Sequence, residues 1–346
     1  MGAVAGELVE IIAIRELLLF KMAMNTSSLF SARSLAGYFL AVSRPVLLLA
    51  AGLLMPWAGP AAEPTKTFAT PDDAVASLTA AVKAQDGQAL RAIFGPAIAE
   101  IENPDRVQAT NEFAAFAGAV SDGVHITHDS DTRCELEVGT NNWPFPIPIV
   151  QRDGRWFFDT AAGQEELLNR RIGKNELEVL DVIRAYVDAQ REYASRDRDG
   201  DQVLEYAQRL SSTPGTKDGL YWPPDLDGEI SPLGPFVAHA QSAGYFGDTP
   251  IDKHSPQPFQ GYLFKILTRQ GKHAPGGKYD YLINGNMIGG FALVAWPADY
   301  GQSGIMTFIV NQQGRVFQKD LGTSTAKVAG KMTTYDPDPS WRVSPD

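Results

Sequence analysis

The chain has 346 residues, and 30 Lys and Arg stand against 41 Asp and Glu, a formal net charge of −11. Apolar residues at 44% and charged residues at 21% are globular values, so whole-chain disorder, collagen and coiled coil are excluded. The acid excess also argues against nucleic acid and anionic membrane as partners, because both demand a Lys- and Arg-rich surface.

Residues 1–62 read as an N-terminal extension followed by a signal peptide. The run Val46–Met55 is apolar, Arg33 and Arg44 precede it, and the small residues Gly59, Ala61 and Ala62 follow. A membrane span needs about 20 apolar residues, which this run lacks. Cleavage is expected between Gly59 and Glu63, with the product periplasmic or secreted and free of the membrane. An uncleaved anchor built from residues 35–58 is the competing reading. Met22 or Met24 makes a more natural start than Met1. Cys134 stands alone, so no intramolecular disulfide forms and no Cys–His spacing supports zinc.

After a polar linker over 63–70, Thr70-Pro71-Asp72-Asp73 announces a helix: a threonine cap, proline in the first turn, and acids at the positive end of the dipole. Asp86-Gly87 interrupts it, a short second helix ends at Gly95-Pro96, and more helix is expected around 104–118. Cys134, Leu136 and Val138 then alternate with Arg133, Glu135 and Glu137, the period of a strand. Pro144, Pro146 and Pro148 confine Trp143–Val150 to an edge strand or polyproline-like segment. Arg152-Asp153-Gly154-Arg155 is a hairpin turn, and Trp156-Phe157-Phe158 the returning strand. These elements make one α+β domain over 63–165.

A connector is expected over 166–175, ending in Arg170-Arg171-Ile172-Gly173. A long helix with a broad apolar face then runs from Glu176 to Ala194. Residues 211–258, rich in Gly and Pro, read as a long ordered loop region, a feature that often carries function. Four strands follow at 261–267, 291–296, 305–310 and 315–319, with Asn311-Gln312-Gln313-Gly314 turning between the last two. The second α+β domain is therefore placed at 176–343.

Three resemblances attach to these segments. The helical opening broken at Asp86-Gly87 and the closing hairpin Val150–Asp159 resemble the NTF2-like fold, whose members use the sheet and helices to enclose a pocket. The long helix and four-strand meander over 176–320 resemble the globular part of pilins and pseudopilins, without their apolar N-terminal helix. Over 63–343 the chain is most similar to the domain of unknown function 2950 family of exported bacterial proteins. That likeness rests on Trp143-Pro-Phe-Pro-Ile-Pro148, Asn169-Arg-Arg-Ile-Gly173, Asp197-Arg-Asp-Gly-Asp201, Lys217-Asp-Gly-Leu-Tyr-Trp-Pro223 and Gly289-Gly-Phe-Ala-Leu-Val-Ala-Trp-Pro-Ala298. It implies export and a two-part architecture and carries no activity.

The sharpest local pattern is Asp197–Gln208. In a calcium loop of the EF-hand kind, oxygens at positions 1, 3, 5, 7, 9 and 12 surround the cation. Asp197, Asp199, Asp201, the Val203 carbonyl, Glu205 and Gln208 occupy those positions. Gln202 stands where the turn favours glycine, and Gln208 where a bidentate glutamate belongs, so binding would be weak. A solvated acidic turn competes with this reading. His125-Ile126-Thr127-His128 with Asp129 and Asp131 reads as a solvated turn, because histidines three apart on a strand face opposite ways. Tyr221, Trp222 and Phe236 could offer a stacking surface to a sugar or peptide, or fasten their loop to the sheet. The chain lacks Gly-x-Ser-x-Gly, a phosphate-binding loop and His-Glu-x-x-His, and Cys134 reads as core. The sequence thus points to an exported cell-envelope protein without catalytic residues, a binding or scaffold module for an envelope ligand or protein. Its rivals are a hydrolase or isomerase using an NTF2-like pocket, and a pilus or secretion-system accessory.

Overall fold

A computed structural model describes residues 65–345 apart from 199, 225–227 and 246–257, so the expected signal peptide and Asp199 lie outside the described residues. The fold is α+β, with helices packed on antiparallel sheets. Three helices open it: α1 (Pro71–Ala84), α2 (Gly87–Phe94) and α3 (Arg106–Asp122). Thr70 and Asp73 form a reciprocal capping box on α1, while Asp86 and Asp105 cap α2 and α3 through their side chains. Part of the expected linker belongs to this layer, since Phe68 bridges to Trp156 and Lys66 N–H donates to the Ala92 carbonyl.

The first sheet has the order β1-β2-β3-β4, with β1 Val124–Ser130, β2 Arg133–Val138, β3 Trp143–Arg152 and β4 Arg155–Phe158. The β3–β4 hairpin turns on Asp153 (φ 52°) and Gly154 (φ 75°), the left-handed pair that two-residue hairpins require. The His125–Asp131 segment is therefore mostly strand, not the expected turn. The proline-rich strand is also placed differently from expectation: β3 is interior. Its register explains how it tolerates prolines. β4 pairs only with Ile149–Arg152, and β2 pairs with Trp143–Phe145 and again from Ile149, across a bulge. The proline half thus lacks a strand on one side, and its carbonyls are served otherwise: Arg170 donates to Pro144 and Asp159 N–H to Pro148.

The expected connector over 166–175 does not exist as such. A single helix, α4 (Thr160–Tyr193), runs through it for 34 residues, about 50 Å. Gly173 does not break the helix, because one mid-helix glycine costs only about 1 kcal/mol. The flanking Glu166–Arg170 and Lys174–Glu178 pairs favour helix, and tertiary packing holds both ends. The first half of α4 lies on β3, where Gly163 allows approach to Pro146 and Ile147, and Leu167 joins the first core. The second half buries Val179, Leu180, Ile183, Tyr186 and Val187 in another core.

That second core is closed by a sheet of order β14-β12-β11-β10-β5: β5 Tyr262–Leu267, β10 Ala292–Pro297, β11 Met306–Asn311, β12 Phe317–Asp320 and β14 Arg342–Val343. The expected four-strand antiparallel meander is present as β5-β10-β11-β12. Between β5 and β10 lie the short strands β6 (Arg269–Gln270), β7 (Tyr279–Asp280), β8 (Leu282–Ile283) and β9 (Asn286–Met287). Two short helices, α5 (Gly234–Ser242) and α6 (Thr325–Lys331), and strand β13 (Thr334–Tyr335) complete the fold.

Candidate functional site

Aromatic rings crowd the space between the first sheet and its helices, Phe94 and Phe158 buried and Phe116, Trp143 and Phe145 half-buried. Phe145 is stacked on Phe116 at 5.3 Å between centroids, with Phe94 at 6.1 Å, Trp143 at 6.3 Å and Phe158 at 6.4 Å. Arg170 covers one side, its guanidinium 5.3 Å over the Trp143 ring. Two bonds fix it there, from Nε to Glu166 Oε1 at 2.6 Å and from Nη1 to the Pro144 carbonyl at 2.8 Å. Cys134 is fully buried with Sγ 3.2 Å from His128 Nδ1. Burial, reinforced by Asp129 and Asp72, pushes the thiol above its ordinary value, so the reactive thiolate is suppressed.

The acidic loop uses its carboxylates to build itself. Asp197 accepts from Gly200 N–H at 2.7 Å and Gln202 N–H at 2.9 Å, and Asp201 accepts from Val203 N–H at 2.8 Å. Gln202 (φ 69°) takes the left-handed turn that a glycine would favour. The rest of the loop is docked on the β8–β9 hairpin. Asn286 donates to Asp201 Oδ2 at 2.6 Å, Met287 N–H to Glu205 Oε2 at 2.8 Å, and Gln208 to the Gly285 carbonyl at 2.7 Å. Among the described residues no three acidic, His or Cys side chains are grouped to hold a metal ion. Asp197 thus closes its own turn, Asp201, Glu205 and Gln208 fasten the loop to the hairpin, and Leu204 is left exposed beside it.

Of the three aromatics expected on a ligand surface, two are committed elsewhere. Trp222 is 1% exposed and donates through Nε1 to the Glu229 carbonyl at 3.0 Å, so its ring is not available for stacking. Phe236 packs edge-on against Phe259 at 5.2 Å in a small core with Tyr245. Tyr221 is half-buried and bridges to Ser211. Around Trp222 the loop instead holds a charge cluster that the sequence reading missed. The Arg198 side chain is 3% exposed and sits over both Trp222 (5.3 Å) and Tyr193 (5.5 Å). It donates to Glu229 Oε1 at 2.5 Å, and Lys217 donates to Oε2 at 2.7 Å. The bond from Lys217, together with the Arg198 charge, holds the Glu229 carboxyl below its ordinary value.

A buried polar chain, also missed, joins the two halves of the fold. Asp105 is 5% exposed; Oδ1 caps α3, while Oδ2 accepts from Tyr245 OH at 2.8 Å and Gly261 N–H at 3.3 Å. Gln108 Nε2 donates to Asn175 Oδ1 at 2.6 Å, and Asn175 Nδ2 to the Ser303 carbonyl at 2.8 Å. Glu176 Oε1 accepts from Ile305 and Met306 N–H. The partners of Asp105 lie 140 and 156 residues away, so no local pattern records them.

A family model described as "Protein of unknown function (DUF2950)" matches residues 65–343. No curated protein and no solved structure matches the chain.

Proposed function

The chain belongs to the DUF2950 family of proteins of unknown function, and from that premise we propose an exported cell-envelope protein that binds or scaffolds without catalysis. The observation that carries this reading is the aromatic cluster that crowds the space between the first sheet and its helices. An enzyme of the NTF2-like kind needs an open pocket and an ionisable group facing it. Among the described residues of that half, the buried ionisable side chains are Cys134 and Asp105. The thiol is raised away from reactivity, and Asp105 is turned toward the second half by its bonds to Tyr245 and Gly261. Recognition is then left to the outer surface. No described helix is long and apolar enough to cross a membrane, so attachment to the envelope would run through residues 1–62 or through a partner.

Two measurements test the proposal. Mass spectrometry of periplasmic and secreted fractions is expected to find a new N-terminus between Gly59 and Glu63; an intact chain retained in the cytosol overturns export. Titration with an apolar fluorescent dye tests whether the rings fill that space. The native protein is expected to leave the dye dark, and stoichiometric uptake that Phe145→Trp blocks would overturn the non-catalytic reading.

A further inference from the structure

We infer that the protein pairs with a second copy of itself through the edge of β1 that is left without a strand among the described residues, joining two four-stranded sheets into one. β1 is the outer strand of its sheet, and five of its seven residues, His125 and Thr127–Ser130, are exposed. Its backbone parity can be read from the ladder. Gly139 N–H donates to the Gly123 carbonyl, so with period two His125 and Thr127 exchange bonds with Glu137 and Glu135. Val124, Ile126 and His128 therefore turn their N–H and C=O groups outward, the row that another strand can pair with.

The side chains select the partner and the register. Two antiparallel copies of β1 related by a dyad at Thr127 place His125 of each opposite Asp129 of the other, and Thr127 opposite itself. Ile126 then meets His128, and Val124 meets Ser130. Within one copy His125 already stands opposite Glu137, and Arg133 reaches Asp129 at 3.2 Å and Glu135 at 3.3 Å. The outward face across the junction thus reads Glu137, His125, then Asp129 and Arg133 of the second copy, a row in which His125 lies between two acids and Asp129 between His125 and Arg133. Thr–Thr pairs are among the cross-strand contacts that favour pairing, and an imidazole opposite a carboxylate can donate its ring N–H to it. Moving the dyad to Ile126 puts His125 against Thr127, and moving it to His125 sets imidazole against imidazole. Asp129 is the extra residue of a bulge that ends the strand, which keeps the ladder short. One seven-residue edge buries less than the roughly 1,200 Å² of a standard stable interface, so the pairing is weak and concentration-dependent.

Sedimentation velocity of the full-length protein, from low micromolar to submillimolar concentration, is expected to show a reversible monomer–dimer equilibrium. His125→Asp sets acid against acid at two symmetric places and is expected to weaken the dimer at least about tenfold. His125→Lys is expected to tighten it, and Ile126→Pro, which deletes an outward N–H and spares the bonds to β2, to abolish it. Circular dichroism confirms that each variant is folded. A wild type that stays monomeric throughout overturns the inference. A dimer indifferent to His125→Asp and His125→Lys places the interface elsewhere and overturns it too.

Discussion

At the scale of single residues, the structure turns on charges placed where sequence spacing does not show them. Arg198 lies inside the stretch that reads as a calcium loop, yet its counter-charge, Glu229, is 31 residues away. Breaking a buried pair from one side leaves an uncompensated charge, a cost of about 3–5 kcal/mol, which the 29% exposure of Glu229 reduces to roughly 2 kcal/mol for Glu229→Gln. The pH dependence has a definite sign. The folded carboxyl is held below its ordinary value, so its contribution is complete above an unfolded pKa of about 4.3 and is lost as pH falls through the folded value. Thermal melts of wild type and Glu229→Gln are therefore expected to differ most at neutral pH and to converge in acid; a constant gap refutes the pairing. The acidic loop yields a second expectation. Its carboxylates already accept from Gly200, Gln202, Val203 and Asn286, so added calcium should leave the melting temperature unchanged. A rise of several degrees, abolished by Asp201→Asn, would establish the ion site instead. The acidic pattern was legible in sequence; the docking of the loop on the β8–β9 hairpin was not, because Asn286 reaches Asp201 from 85 residues away.

Among the elements, α4 is the most instructive. Its apolar positions from Leu177 onward were legible at helical spacing, but Gly173 and the two arginines before it read as a break. Continuity is decided by two cores that each grip one half of the helix, and no local pattern records that. Its glycines should therefore behave oppositely. A Cβ on Gly173 meets nothing within 4 Å, so Gly173→Ala is expected to stabilise by about 0.5–1 kcal/mol through helix propensity alone. A Cβ on Gly163 would come 2.7 Å from the Pro146 carbonyl oxygen and 2.9 Å from Ile147, so Gly163→Ala is expected to destabilise by about 1–3 kcal/mol. Urea unfolding of the two variants checks both, and equal shifts would refute the account. The prolines of β3 teach the complementary lesson. The rule that proline avoids interior strands holds locally, on the half of the strand that β4 does not reach, while the strand as a whole is interior.

For the whole molecule, the α+β class and the succession of helices, hairpin and meander were readable because they rest on periodicity and turn residues. The joint between the halves was not, since Asp105, Gln108, Asn175 and Tyr245 are ordinary polar residues until the fold gathers them. With a helix where a linker was expected and a buried polar chain beside it, limited proteolysis is expected to leave 166–175 intact; release of two stable fragments there would refute it. Asp105→Asn, which swaps an acceptor for a donor facing Gly261 N–H or the α3 N-terminus, is expected to cost about 2 kcal/mol, measured by calorimetry.

The shared helix also orders events in time. As the chain emerges from the N-terminus, everything the first core needs is complete once Leu167 is available, so that half can close early. The second half of the same helix then waits with Val179, Ile183 and Tyr186 uncovered. The carbonyl that receives the Tyr186 hydroxyl belongs to Ala292, 106 residues further on. During that interval a nascent apolar stripe stands open on an already anchored rod. It is the segment a holding chaperone would grasp, and where a stalled or truncated chain would begin to aggregate.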